Sequence, residues 1–194
     1  VPSLMAQAYV PIQSVTVGSG GSASIDFTNI PQNYTDLCLH LSLRSAGTLT
    51  PYALMRFNSS SSSYSNKRLN GDGSTTGSGS PTNAYIVLGV ADSTSQTAST
   101  FSNHYVNISN YAGSNYKSVL SDNVQENNSS TAYVYLMAGL WSNTSAITSI
   151  SITDESASNS FAQYSTATLY GIGGARASGG TITADSKYTY HTFT

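Results

Sequence analysis

The residue types that perform acid–base, nucleophilic or metal chemistry are few in this chain and stand apart from one another. Lys, Arg, Asp and Glu make up 8% of its 194 residues, against about a quarter in an average globular domain. The three histidines, His40, His104 and His191, are distant in sequence. None forms a His-x-His or His-x-x-x-His pair, the spacings that put two imidazoles on one metal. Each falls in a strand-like stretch, where a surface or core role is the expectation. Asn70-Gly71-Asp72-Gly73 has the oxygen-rich opening of a calcium loop but lacks the regular acidic positions and closing Glu of an EF-hand. It is expected to be a turn. Asp154-Glu155 is the only adjacent acidic pair; a solvated loop is the expectation there, with a calcium contact as the alternative.

Nucleophile and phosphate motifs are equally thin. No Gly-x-Ser-x-Gly elbow occurs among the many serines. Gly71-x-Gly73 and Gly171-x-Gly173 each lack the third glycine of a phosphate loop, and no Walker lysine follows. Glycoside hydrolysis needs two carboxylates that meet in space, and only nine acids exist to supply them. The reading assigns no catalytic residue, no cofactor-binding residue, no metal ligand and no cofactor, and expects no enzyme.

The formal net charge of −2 offers nothing to nucleic acid or an anionic membrane, which need clustered Lys and Arg; the only adjacent basic pair is Lys67-Arg68. No apolar run approaches the ~20 residues of a membrane span. Cys38 is the single cysteine, so an internal disulfide is impossible, and its place in an apolar alternation predicts a buried thiol. Ala6-Gln7-Ala8 resembles a signal cleavage site, but no basic segment precedes it and Leu4-Met5 is too short for an apolar core. Glycosylation triplets at Asn33, Asn58, Asn107, Asn127, Asn128 and Asn143 are those that chance supplies in a chain this rich in Asn, Ser and Thr.

The elements that would position any site are strands. Ser, Thr, Asn and Gly interleave with fourteen Tyr and short apolar alternations, a pattern of strands and turns. Leu37, Leu39, Leu41 and Leu43 alternate with Cys38, His40, Ser42 and Arg44, and the leucines should line the core. Val15 and Val17 end one short strand; Ala23, Ile25 and Phe27 form a second, with Gly18-Ser19-Gly20-Gly21 expected as a hairpin turn between them. Ala53, Met55 and Phe57 face one way in the next strand, and further candidates cover 84–90, 100–108, 117–120, 132–140, 146–153 and 166–172. Polar turn-rich stretches at 58–63, 70–81, 92–99, 125–130 and 154–160 separate them. This predicts one all-β domain over 1–172, an antiparallel sandwich of jelly-roll type, then a Gly-rich linker and short extended arm over 173–194.

Surface contacts remain as a function. Tyr64, Tyr111 and Tyr116 lie in or beside polar loops, where an aromatic ring with a hydroxyl can stack on a sugar or anchor an interface; packing over a sandwich edge is the alternative. Trp141 follows Ala138-Gly139-Leu140 and is expected in the core or at an edge. The isolated charges Arg44, Arg56 and Lys117 suit the pinning of loops or interfaces.

Several segments together resemble tailed-bacteriophage virion proteins of tail-fibre or appendage type. They are Ser24-Ile25-Asp26-Phe27-Thr28-Asn29-Ile30-Pro31 with Tyr34-Thr35-Asp36-Leu37; Met55-Arg56-Phe57-Asn58 with Tyr64-Ser65; the stretch from Gly139 to Ile150; and Ser165-Thr166-Ala167-Thr168-Leu169-Tyr170-Gly171-Ile172. Gly179-Gly180-Thr181-Ile182-Thr183 and Tyr188-Thr189-Tyr190-His191-Thr192-Phe193-Thr194 resemble the opening of glycine-rich terminal modules in phage fibres. The resemblance implies a virion structural protein, a tail fibre or appendage component contributing to host attachment, on the surface of an extracellular particle. It implies a homo-oligomer, a trimer, with other virion proteins and a host-surface glycan as further partners, and carries over no catalytic residue. A capsid decoration or cement protein and a secreted carbohydrate-binding sandwich module are the alternative readings.

Overall fold

In the computed structural model the chain is described over residues 9–81, 84–129, 132–156, 160–173, 181–184 and 189–192. It is an all-β, antiparallel sandwich of two unequal sheets. The larger runs in the order β1 (Tyr9–Thr16), β12 (Thr166–Ile172), β3 (Asp36–Leu43), β8 (Ser102–Ile108), β9 (Lys117–Gln125), β10 (Tyr133–Trp141), β5 (Tyr64–Gly71), β6 (Thr76–Gly79). The smaller runs β2 (Ser24–Phe27), β11 (Ile150–Asp154), β4 (Tyr52–Phe57), β7 (Ile86–Val90). A separate two-stranded ladder pairs β13 (Thr181–Ala184) with β14 (Thr189–Thr192).

The core lies where the alternating apolar residues meet. Leu37, Leu39, Leu41 and Leu43 all turn inward from β3 and are buried, as are Ala53, Met55 and Phe57 of β4. Each such Leu, Met or Phe side chain contributes roughly 1.5–3 kcal/mol on leaving water. Trp141 is buried, with its ring 5.5 Å from that of Phe57 and stacked on Tyr64 at 6.1 Å. Cys38 points to the opposite face of β3, yet is buried there, opposite Tyr170 and Asn107, and burial pushes its thiol pKa up.

Four expectations are corrected. Residues 18–21 form a turn but no hairpin: β1 pairs β12 in the large sheet, and β2 pairs β11 in the small one. The Gly-rich turn carries the chain across the sandwich. The strand expected over 117–120 continues to Gln125, because its inward residues beyond Val119 are polar and buried rather than apolar. Much of the turn-rich stretch over 70–81 is strand, since β5 and β6 are held by backbone pairing with little apolar alternation to announce them. In the C-terminal segment expected as an extended arm, 181–184 and 189–192 pair with each other; the expected linker over 174–180 lies outside the described residues.

Candidate functional site

Several of the buried polar residues share one structural purpose, the closing of an edge. β7 is the last strand of the small sheet and would leave its outer backbone groups unpaired, a costly state inside a protein. Side chains from the inner face of the large sheet meet those groups instead. Asn66 of β5 donates from Nδ2 to Tyr85 O at 3.0 Å and accepts from Val87 N at 2.9 Å. Ser121 Oγ donates to Leu88 O at 2.7 Å, and His104 Nδ1 reaches the same oxygen at 3.2 Å. Asn123 accepts from Val90 N at 3.0 Å and donates to Val90 O at 3.2 Å. Gln125 Nε2 donates to Ala91 O at 3.5 Å. Two asparagine amides thus act as substitute strand residues, each offering one donor and one acceptor.

Gly89 makes the close approach feasible. Its φ is +114°, at a register shift between β4 and β7, and a Cβ there would come within 2.4 Å of Asn123 Oδ1. Such a bulge re-aims the backbone that follows, here Val90 toward Asn123. His104 is buried among these groups, with Nε2 3.1 Å from Ser102 Oγ and 3.3 Å from Asn123 Nδ2. Burial depresses its pKa to about 4, so the ring is neutral at pH 7. Both ring nitrogens are taken up by hydrogen bonds inside the fold.

The outer face of the same strands is aliphatic. Leu69 of β5, Leu120 and Val124 of β9, and Val134 and Leu136 of β10 are each between 44% and 56% exposed. The register sets them side by side: Leu136 is opposite Leu69, and Val134 is opposite Val124. Asp122 sits among them, opposite Leu136 and Tyr105, while Lys67 stands beyond Ala138 from Leu120. A groove of about 480 Å³ runs between Leu69, Asp122, Val134 and Leu136. Across β8 and β3 the face turns aromatic. Tyr9 and Tyr105 share a hydroxyl hydrogen bond of 2.8 Å, and the His40 ring lies 5.2 Å from Tyr105 and 5.0 Å from Tyr170.

A second concavity of about 200 Å³ lies among Tyr52, Arg68, Pro81, Tyr85 and Glu155. Arg68 Nη1 donates to Tyr52 Oη at 2.6 Å, and the Arg56 guanidinium lies 5.5 Å from the centre of the Tyr85 ring.

The residues singled out in the sequence are dispersed. His40 is exposed on the large sheet, His104 is buried in it, and the side chain of His191 lies outside the described residues. Of Asn70-Gly71-Asp72-Gly73, the first two end β5 and the last two open the β5–β6 hairpin turn: Asp72 accepts from Ser74 N, Thr75 N and Thr75 Oγ1, bonds that hold its carboxyl pKa below the usual range. Asp154 does not sit in a solvated loop. It ends β11, buried, and accepts from Ser45 Oγ at 2.6 Å. Tyr64 and Tyr111 are core residues, leaving Tyr116 alone of the three exposed. Asn58 and Asn127 are structural: Asn58 accepts from Thr148 N and Ser149 N, and Asn127 is buried.

The isolated charges do pin loops. Arg44 Nη1 donates to Thr97 O and Thr100 O at 3.0 and 2.7 Å, and Lys117 Nζ donates to Gly113 O at 2.7 Å and to Asn115 O. Arg56 Nε donates to Ala84 O at 3.1 Å.

Sequence reasoning missed the aliphatic face, although its signal stands at alternate positions: Leu120 and Val124 about Asp122, and Val134 and Leu136. Among the described residues no three His, Cys, Asp or Glu side chains converge. Comparison with protein-family models, with curated proteins and with solved structures found no match.

Proposed function

We propose that this chain is a non-catalytic structural module that assembles with further copies of itself through the aliphatic face of β5, β9 and β10, as a component of a tailed-phage virion. The face carries the assembly reading. Five half-exposed aliphatic side chains make a patch on the order of 400 Å², the size at which an exposed apolar surface marks a binding site. The strands β9, β10, β5 and β6 cover roughly 20 by 25 Å, within reach of the ~800 Å² of accessible surface that a standard interface takes from each partner.

The chemistry of the face favours another copy of this chain. Leu and Val offer no ring on which a sugar would stack. Lys67 and Asp122 supply one charge of each sign, which two copies can pair reciprocally. A net charge of −2 imposes little repulsion between copies. The virion setting rests on the sequence resemblance. The jelly-roll reading is supported by strand order: β1-β12-β3-β8 over β2-β11-β4-β7 is the pairing in which two Greek keys interleave across a sandwich.

Light scattering on the purified chain tests the assembly. The wild type should run at the mass of two or three chains, and the Leu69→Lys/Leu136→Lys variant as a folded monomer. A wild-type monomer at high micromolar concentration overturns the reading. A second reading, glycan capture, is favoured by the Tyr52–Tyr85 concavity, where two rings flank Arg68 and Glu155. It predicts saccharide binding that Tyr85→Ala weakens at least tenfold, and a glycan array without a hit removes it.

A further inference from the structure

We propose that the end of the side-chain ladder on β7 is a cation site, formed by Asp92, Gln125 and Asn127 and suited to a hard, oxygen-seeking metal ion of the calcium type. The ladder itself provides the contrast. At Asn66 and Asn123 both ends of the amide are used, one donating to and one accepting from the β7 backbone. At the next two inward positions only the nitrogen is used. Gln125 Nε2 donates to Ala91 O at 3.5 Å, and Asn127 Nδ2 donates to Asp92 Oδ1 at 3.1 Å. Three oxygens are then left over: Gln125 Oε1, Asn127 Oδ1 and Asp92 Oδ2 are all buried and receive no donor among the described residues.

All three residues are 2% exposed or less. Rotating either amide by 180° does not help, because it would turn an oxygen onto Ala91 O or onto the Asp92 carboxylate. Among the described residues the side-chain donor to the Asp92 carboxylate is the neutral amide of Asn127. The nearest cation along the backbone is Arg44, which is bridged to Asp92 through the main chain, but its guanidinium is committed to the carbonyls of Gln96, Thr97 and Thr100. A further buried carboxylate stands close by: Ser45 donates from N to Asp92 O at 2.6 Å and from Oγ to Asp154 Oδ2 at 2.6 Å.

Unpaired buried acceptors, one of them charged, are among the most costly arrangements a protein interior can hold. A cation held by the Asp92 carboxylate and the two amide oxygens would relieve these acceptors. One carboxylate and two amide carbonyls, with no sulfur or imidazole, select hard ions over zinc or copper. Asp92, Gln125 and Asn127 belong to neither stretch in which the sequence hinted at calcium, although Asp154 of one of them stands close by.

The test uses the whole chain, stripped with a chelator and dialysed. Titration with Ca²⁺ alone should show one equivalent bound and a higher melting temperature. Tb³⁺ should bind the same site and luminesce on tyrosine excitation, since Tyr133 pairs with Gln125 across β9 and β10. Asp92→Asn should weaken Ca²⁺ at least tenfold. Should that variant fail to fold, Gln125→Glu serves: its added carboxylate should tighten Ca²⁺ at least tenfold and make folding depend on the ion. Stripped wild type that takes up neither ion at millimolar concentration, with an unchanged melting temperature, overturns the proposal. So does uptake that Asp92→Asn leaves intact. Oligomeric mass plays no part in these readouts, so failure here leaves the assembly reading standing.

Discussion

The large sheet buries opposite kinds of residue along β3 and along β9. In one half, β3 with the Val106–Ile108 end of β8, the inward positions are Leu37, Leu39, Leu41, Leu43, Val106 and Ile108, and outward residues include His40, Tyr105 and Asn107; the other inward residues of β8, Ser102 and His104, are polar, and His104 reaches β7 as the second half does. In β9 the inward positions beyond Val119 are Ser121, Asn123 and Gln125, while Leu120 and Val124 point to solvent. The first half faces a complete sheet, so apolar matching suffices. The second faces the open edge of β7 and must supply hydrogen bonds to it. Freed from the core, its aliphatic residues are displayed outside, where they can bind. Polarity inside and greasiness outside are therefore one arrangement seen from two faces.

That contrast can be broken experimentally. Leu39→Ala in the first half should cost the most, about 4 kcal/mol in urea unfolding, whereas Leu39→Met should cost under about 1.5 kcal/mol because volume is what counts there. Asn123→Leu, similar in size, should cost about 3 kcal/mol because it strands both Val90 N and Val90 O. If Asn123→Leu proves as mild as Leu39→Met, the two halves do not differ in what holds them.

Acid should loosen the second half selectively. His104 is neutral when folded, with a pKa of about 4, while an unfolded histidine titrates near 6.5. Between those values the unfolded chain binds the extra proton, so stability falls as pH drops from 6.5 toward 4 and levels off below. From pH 7 to pH 5 the loss from this ring should be on the order of 2 kcal/mol. His104→Gln should flatten the slope over that range in urea midpoints. The smallest effect on stability belongs to the outer face: Leu136→Lys should shift the unfolding free energy by no more than about 0.5 kcal/mol while reducing self-association.

The strands of the first half were legible because one rule, burial of alternate apolar residues, governs them. Leu37 to Leu43 announce β3 and its inward face without ambiguity. The second half obeys a rule that depends on another strand. Ser121, Asn123 and Gln125 are inward only because β7 ends its sheet opposite them, a tertiary fact that a linear pattern does not carry. Tyr64 and Tyr111 misled for a related reason: polar neighbours suggested loop tips, but Tyr64 donates to its own turn at Phe57 O and Tyr111 to Pro31 O, so both hydroxyls are satisfied indoors. Arg44 and Lys117 were read well, since an isolated cation among neutral loops has few partners besides carbonyls.

The closed edge of β7 also bears on how copies of this chain can aggregate. Sheet proteins form fibrils when a free edge accepts a strand from the next molecule. Here one of the four edges of the two sandwich sheets is occupied from within by amide side chains. Another, β1, carries Pro11 and a register shift beside it, both poor templates for an incoming strand. The two edges left, β2 and β6, are four residues each. Propagation by strand addition has little to grip, so the proposed association would run through side chains on a face, where it can end at a fixed number of copies.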